Sequence, residues 1–200
     1  MIVRHRLRLA PLWSLVVVSL AAAQPGLASA HPHRMRARAS QECLGADVPV
    51  GRAAVTTMRA AVLCLINQQR NARGLPSLRA SGRLTGSAQR WTGAMVSSGS
   101  FSHGANFALR ISASGYDWQA AAENIATGYA TPRAVVDAWM GSLGHCRNIL
   151  DPAFRDVGTG VAATPVGPSM GPGTWTEDFG LLMTQSAPSR KTGPENGCPY

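Results

Sequence analysis

Acidic residues are scarce in this chain. Ten Asp and Glu stand against nineteen Lys and Arg in 200 residues, a formal net charge of +9. Aromatic residues make up 6% and charged residues 14%. The apolar stretch from Leu9 to Ala23 is interrupted by Pro11 and two serines and falls short of the ~20 residues a membrane-crossing helix needs. The four cysteines show no Cys-x-x-Cys spacing, which excludes the usual zinc and dithiol redox motifs. No His-Glu-x-x-His helix is present, and the Gly-x-Ser-x-Gly string at Gly167–Gly171 lies in a Gly/Pro loop between two strand candidates rather than at a strand-to-helix elbow, so neither common hydrolase signature is present in its working context. The basic residues are not interleaved with aromatics, and no zinc-finger, homeodomain or RNA-recognition pattern occurs; nucleic acid is not an expected partner. Internal repeats are absent as well.

What is present begins with an export signal. Arg4, Arg6 and Arg8 precede the short apolar stretch, and Ala28-Ser29-Ala30 supplies the small residues a signal peptidase reads. Residues 1–30 are therefore expected to be a signal peptide cleaved near Ala30, leaving a secreted, extracellular protein. Loss of its three arginines takes the net charge from +9 to +6. That charge is uneven: residues 31–90 carry ten arginines against Glu42 and Asp47, whereas from Trp91 onward six basic residues face eight acids. The basic half suits an anionic cell-envelope surface, although a solvated Arg-rich face is the plainer reading.

Export makes disulfides the default for Cys43, Cys64, Cys146 and Cys198. Four cysteines allow three connectivities. The favoured one is Cys43–Cys64, tying the N-terminal segment to the first helix, with Cys146–Cys198, tying the tail to the body.

Periodicity predicts a helix over 56–73, with Met58, Ala61, Val62, Leu65 and Ile66 on one face and Gly74 as the stop. A second is predicted over 82–98 and a short third over 106–114. Thr131-Pro132 starts a fourth that runs to about Gly141. Residues 122–128 read as irregular or extended, and 145–150 as a short helical turn. Alternation around Val157–Ala163 and over 175–183 predicts strands. Helices first and strands late imply an α+β domain. Its parts are a leader and disulfide-tethered segment (31–55), the domain proper (56–185) and a polar tail (186–200). Trp91 and Trp139 fall at core spacing and are expected to be packing residues.

Few residues can carry chemistry. Without the signal and the leader, which holds His31 and His33, only His103 and His145 remain, each near a loop-to-helix junction. Glu123, in Ala122-Glu123-Asn124, is one of few acids set among small apolar residues. A carboxylate near two imidazoles can hold their tautomers, raise their pKa values or share a divalent metal.

The order of motifs resembles the CAP superfamily, also called SCP or cysteine-rich secretory protein domains, in its bacterial secreted branch. The resemblance is carried by Leu65-Ile66-Asn67-Gln68-Gln69-Arg70 with Gly74-Leu75-Pro76, by Phe101-Ser102-His103, and by Ala122-Glu123-Asn124-Ile125-Ala126. Val136-Asp137-Ala138-Trp139-Met140, Gly144-His145-Cys146-Arg147-Asn148-Ile149-Leu150, Val157-Gly158-Thr159-Gly160-Val161-Ala162 and Trp175-Thr176-Glu177-Asp178-Phe179-Gly180 continue it. It implies a three-layer α-β-α sandwich and a cleft where His103, Glu123 and His145 converge. The second glutamate of many eukaryotic members has no counterpart here; Gly141 and Ser142 occupy that region. Glu177 stands where a glutamine is common and would bring a second carboxylate near the cleft. Arg147, Asn148 and Asp151 are expected to orient the loop around His145.

Two functions follow as expectations. The first is a non-catalytic binding module whose cleft (His103, Glu123, His145, Ser142 and Glu177) takes a small ligand, a lipid or sterol, or a divalent ion. Zn²⁺ would be held by His103, His145 and Glu123, as the resemblance implies. The alternative is a metal-assisted hydrolase, a protease or esterase, with Glu123 as base; Ser102 or Ser142 beside a histidine invites a weaker triad reading. A reactive Cys146 thiol would require that cysteine to be free. A copper site at a new His31-Pro32-His33 terminus would lack the amide nitrogen that Pro32 cannot supply.

Overall fold

The structure is a computed structural model and describes residues 42–168, 171–186 and 197–198. The segment expected to be a signal peptide, the expected leader through residue 41 and most of the tail lie outside the described residues, all of which fall in the larger of two units, residues 38–200.

The first helix, α1, spans Val55–Asn71 and buries Met58, Ala61, Val62, Leu65 and Ile66, the predicted stripe. It ends two residues earlier than expected, because the chain turns at Gly74, which adopts φ +71°. The two-residue strand β1 (Arg79–Ala80) leads into α2 (Gly82–Ser98), where Ser81 Oγ accepts from the Leu84 amide and Gly99 closes the helix in a left-handed conformation. Helix α3 (Phe107–Ala113) is capped by Asn106, whose side chain accepts from the Leu109 amide. Strand β2 covers Trp118–Thr127 and is longer than the extended segment expected from residue 122. Its Ala120–Ala122 run favours helix locally, but pairing with a neighbouring strand decides the outcome. Helix α4 (Pro132–Met140) begins as predicted, with Thr131 as cap. Helix α5 (Leu143–Leu150) is a full two turns, so His145 is its third residue. Strands β3 (Asp156–Ala162) and β4 (Thr174–Leu182) complete the domain.

The sheet order is β1-β3-β4-β2, with β2 antiparallel to β4 and β3 antiparallel to β4. Strand parity sorts the two faces. On one face the glycines of β3 admit α2 closely: a Cβ on Gly158 would lie 2.0 Å from the Thr85 nitrogen, and one on Gly160 2.3 Å from the Ala88 carbonyl oxygen. On the other face Val157, Val161, Trp175 and Phe179 join Met58, Val62, Ile66, Val136, Trp139 and Ile149 in the main core. The result is the expected α-β-α sandwich, with α2 and α3 against one face and α1, α4 and α5 against the other.

Arg70 locks the second layer. It is fully buried at the end of α1, and its guanidinium donates to the carbonyls of Pro76 (2.8 Å), Ile149 (2.7 Å), Asp151 (2.9 Å) and Phe154 (3.4 Å). The last three are loose carbonyls at and after the end of α5, which one planar fork of donors satisfies together. Burial lowers the Arg70 pKa to about 10, still charged at neutral pH. Disulfides join Cys43 to Cys64 and Cys146 to Cys198, the favoured pairing; Cys146 is therefore not a free thiol.

Candidate functional site

The site forms where β2, the edge strand, meets the loop before α3. Glu123 on β2 pairs directly with Asp178 on β4, and Asp178 with Gly158 on β3. Because Gly158 faces α2, this whole row of side chains faces α2. The Glu123 side chain is 1% exposed, yet both of its oxygens are engaged. His103 Nδ1 lies 2.8 Å from Oε1, and Arg110 on α3 reaches Oε2 at 2.5 Å. Arg110 also donates to the His103 carbonyl (2.9 Å), and its guanidinium lies 3.7 Å from the centre of the Trp91 ring. Trp91 is fixed in turn by its Nε1–H donating to the Ser102 carbonyl (3.1 Å). A carboxylate on Nδ1 of a neutral imidazole selects the Nδ1–H tautomer and leaves the Nε2 lone pair free. The His103 side chain is 48% exposed, so that ring is open to solvent.

The next row of the sheet, Asn124–Glu177–Thr159, faces the opposite way. Asn124 donates to the His145 carbonyl (3.1 Å) and accepts from Asn148 (2.8 Å), while Asn148 also bonds the Glu123 carbonyl (3.3 Å). These contacts dock α5 on β2 and bring His145 near His103. Burial chiefly, and the charge of His103 secondarily, lower the His145 pKa. Of the three residues expected to orient this region, Asn148 does so, whereas Asp151 bonds the Ala153 amide within its own turn.

Glu177 is not part of the cleft. Parity places it on the face away from Glu123, fully buried, with Thr159 donating to Oε1 (3.3 Å) and Oε2 without a partner. Burial raises its pKa well above the ordinary value, opposed by the Thr159 bond, and the charge of Asp178 adds to the rise. The carboxyl that does accompany Glu123 is Asp178. Its oxygens have no partner in hydrogen-bond geometry, although Ser87 and Glu123 are close enough to bias its titration. Its pKa is pushed up to about 8, mainly by burial.

Ser142 is half-buried at the start of α5 and makes no side-chain cap bond, while Ser102 Oγ accepts the Gly104 amide (2.8 Å). Neither serine is arranged with a histidine as nucleophile and base. The three-ligand metal site expected of His103, Glu123 and His145 is not assembled either. Among the described residues no group of three His, Cys, Asp or Glu is disposed to hold an ion. One of the Glu123 oxygens such a site would use, Oε2, is held by Arg110.

Arg110, Trp91 and Asp178 were not expected in the site. Trp91, read as a packing residue, is the platform for Arg110. Arg110 gave no signal beyond being the one basic residue in α3. Asp178 was within reach of a parity argument, since it and Glu177 fall on opposite faces and only one can share a side with Glu123.

The profile of the CAP, cysteine-rich secretory protein, family matches residues 63–179. The chain is 34% identical over 123 residues to the uncharacterized protein YkwD of Bacillus subtilis (strain 168), covering 59% of this chain and 45% of that protein. It thus spans less than half the length of that curated relative. Among solved structures, it is similar to an extracellular protein containing a SCP domain from Bacillus anthracis str. Ames. That match has a TM-score of 0.54 and 23% identity, covering 65% of this chain and 44% of that one. It is also similar to an outer surface protein from Borrelia burgdorferi, with a TM-score of 0.52 and 19% identity, covering 60% of this chain and 90% of that one. These two likenesses bear on the fold. Since the profile match runs over more than half of the sequence and encloses His103, Glu123 and His145, the chain belongs to the CAP, cysteine-rich secretory protein, family.

Proposed function

We propose that the protein is a secreted, non-catalytic binding module whose cleft takes the phosphate headgroup of a small amphiphile. The observation that carries this reading is the commitment of Glu123. Its two oxygens are spent inside the protein, on His103 and Arg110, so it anchors the binding groups and leaves the exposed His103 ring to meet a ligand. His145 and the partly exposed Arg110 add polar groups suited to a phosphate. Large apolar side chains adjoin the site in sequence and stand in solvent: Phe101 at 44% exposure, Leu109 at 65% and Leu143 at 39%. Exposed apolar groups around a polar cleft suit a ligand with a polar head and an apolar tail. Two disulfides and the extracellular relatives support export.

One observation favours a hydrolase as the second reading: the His103–Glu123 pair has the geometry of a base held by an orienting carboxylate. Metal assistance does not fit the donor set, and neither neighbouring serine is poised to attack.

The test is a nuclear magnetic resonance titration of the protein from residue 31 onward, with histidine rings labelled, against dihexanoyl phosphatidylglycerol and, separately, inorganic phosphate. Saturable shifts of the His103 and His145 rings with the lipid, lost in His103→Ala, are expected. Shifts confined to other residues, or none, count against the reading. Release of free fatty acid during the titration would favour the hydrolase.

A further inference from the structure

We infer that Arg110 is the resident cation of the cleft: it fills the position on Glu123 that a divalent ion would need and makes the site metal-independent. A metal bound by His103, Glu123 and His145 would require at least one Glu123 oxygen and a free ring nitrogen facing it. Here Oε2 is held by Arg110 at 2.5 Å, and Oε1 faces the Nδ1 of His103 at 2.8 Å. Both carboxylate oxygens are occupied, and the group on Oε2 carries a fixed positive charge that repels a second cation.

Arg110 is built in rather than resting on the surface. Its side chain is 22% exposed and its Nε is buried without a partner. One terminal nitrogen bonds the His103 carbonyl at 2.9 Å, and the guanidinium carbon stacks 3.7 Å from the Trp91 ring centre. The loop is shaped around this stack. Gly104 adopts φ +68°, and a Cβ there would lie 2.8 Å from the Trp91 ring and 3.3 Å from an Arg110 nitrogen. Any L side chain would be strained at that φ and would also press on the stacked pair. Swinging Arg110 aside for a metal would break two hydrogen bonds and the cation–π contact together.

The inference makes Arg110 a positioning residue that sets ligand class, and it stands whether or not the amphiphile reading holds. The test is calorimetric titration of Zn²⁺ into the chain from residue 31 onward. Any heat from His31 and His33 is common to all variants, so the readout is the part that depends on His103. In the wild type and in Arg110→Lys, adding His103→Ala should change nothing. Arg110→Gln should bind Zn²⁺ at least tenfold more tightly than the wild type, and the gain should vanish in Arg110→Gln/His103→Ala. Circular dichroism checks folding; if Arg110→Gln does not fold, Arg110→Met, which keeps an apolar contact with Trp91, takes its place with the same expectation. Tight Zn²⁺ binding by the wild type that His103→Ala abolishes, or no gain on removing the guanidinium, would overturn the inference.

Discussion

At the scale of single residues, the sheet sets two carboxyls side by side and gives them different work. Glu123 is tied to a histidine and an arginine, while Asp178, directly across the ladder, is buried with no hydrogen-bond partner and its pKa stands at about 8. The unfolded chain would release that proton near the ordinary 3.8. Between these values the folded state binds more protons, so stability is full at low pH and falls as pH rises toward 8. Glu177, raised by burial, acts in the same direction. His145 acts in the opposite sense, because its lowered pKa makes the unfolded state take the proton first, but only as pH drops below about 6.5. The melting temperature is therefore expected to rise as pH is lowered from 8.5 to 6.5, and Asp178→Asn should flatten that slope without abolishing it. Thermal melts at the two pH values decide the matter; a melting temperature that climbs with pH would contradict the assignment.

At the scale of elements, the cleft depends on how closely α2 sits on the sheet. Gly158 and Gly160 leave no room for a methyl group, since the nearest atoms a Cβ would meet belong to the backbone of α2 itself. Gly160→Ala is expected to cost roughly 3 kcal/mol or more, at or above the usual range for overpacking, because a helix must move rather than a side chain. It should also displace Trp91, which α2 carries beneath Arg110. On the other face, Arg70→Met leaves four carbonyl contacts unmet and should cost about 3 kcal/mol, read from denaturant midpoints. Chemical denaturation of both variants checks these values. Much at this scale is legible in sequence: the stripe from Met58 to Ile66 marks α1, Thr131-Pro132 marks α4, and the alternation around Val157 marks β3. What is not legible is decided by long-range pairing. The Ala120–Ala122 run becomes strand only because β4 lies beside it. Parity shows that only one of Glu177 and Asp178 can share a side with Glu123; which one does is settled by the β2–β4 register, which no local pattern reveals. Arg110 escapes for a related reason, since its partners Trp91 and Glu123 lie on other elements.

At the scale of the whole molecule, two covalent ties hold the layers in place. The Cys43–Cys64 and Cys146–Cys198 bridges close segments of 21 and 52 residues, worth about 3 and 4 kcal/mol on a chain-entropy basis. Cys146 follows His145 directly, so the second bridge fixes the wall of the cleft as well as the tail. Cys146→Ala/Cys198→Ala should lower the melting temperature and broaden the His145 ring resonance while leaving His103, which hangs from the opposite layer, nearly unchanged. The central claim is a cleft that binds an amphiphile through its histidines with an arginine in place of a metal. Native mass spectrometry tests it most directly, on protein exported and purified without chelator and then incubated with dihexanoyl phosphatidylglycerol. The account predicts a one-to-one lipid complex free of zinc that is lost in His103→Ala. A mass with one zinc per chain that disappears in His103→Ala, or no lipid complex at all, would contradict it.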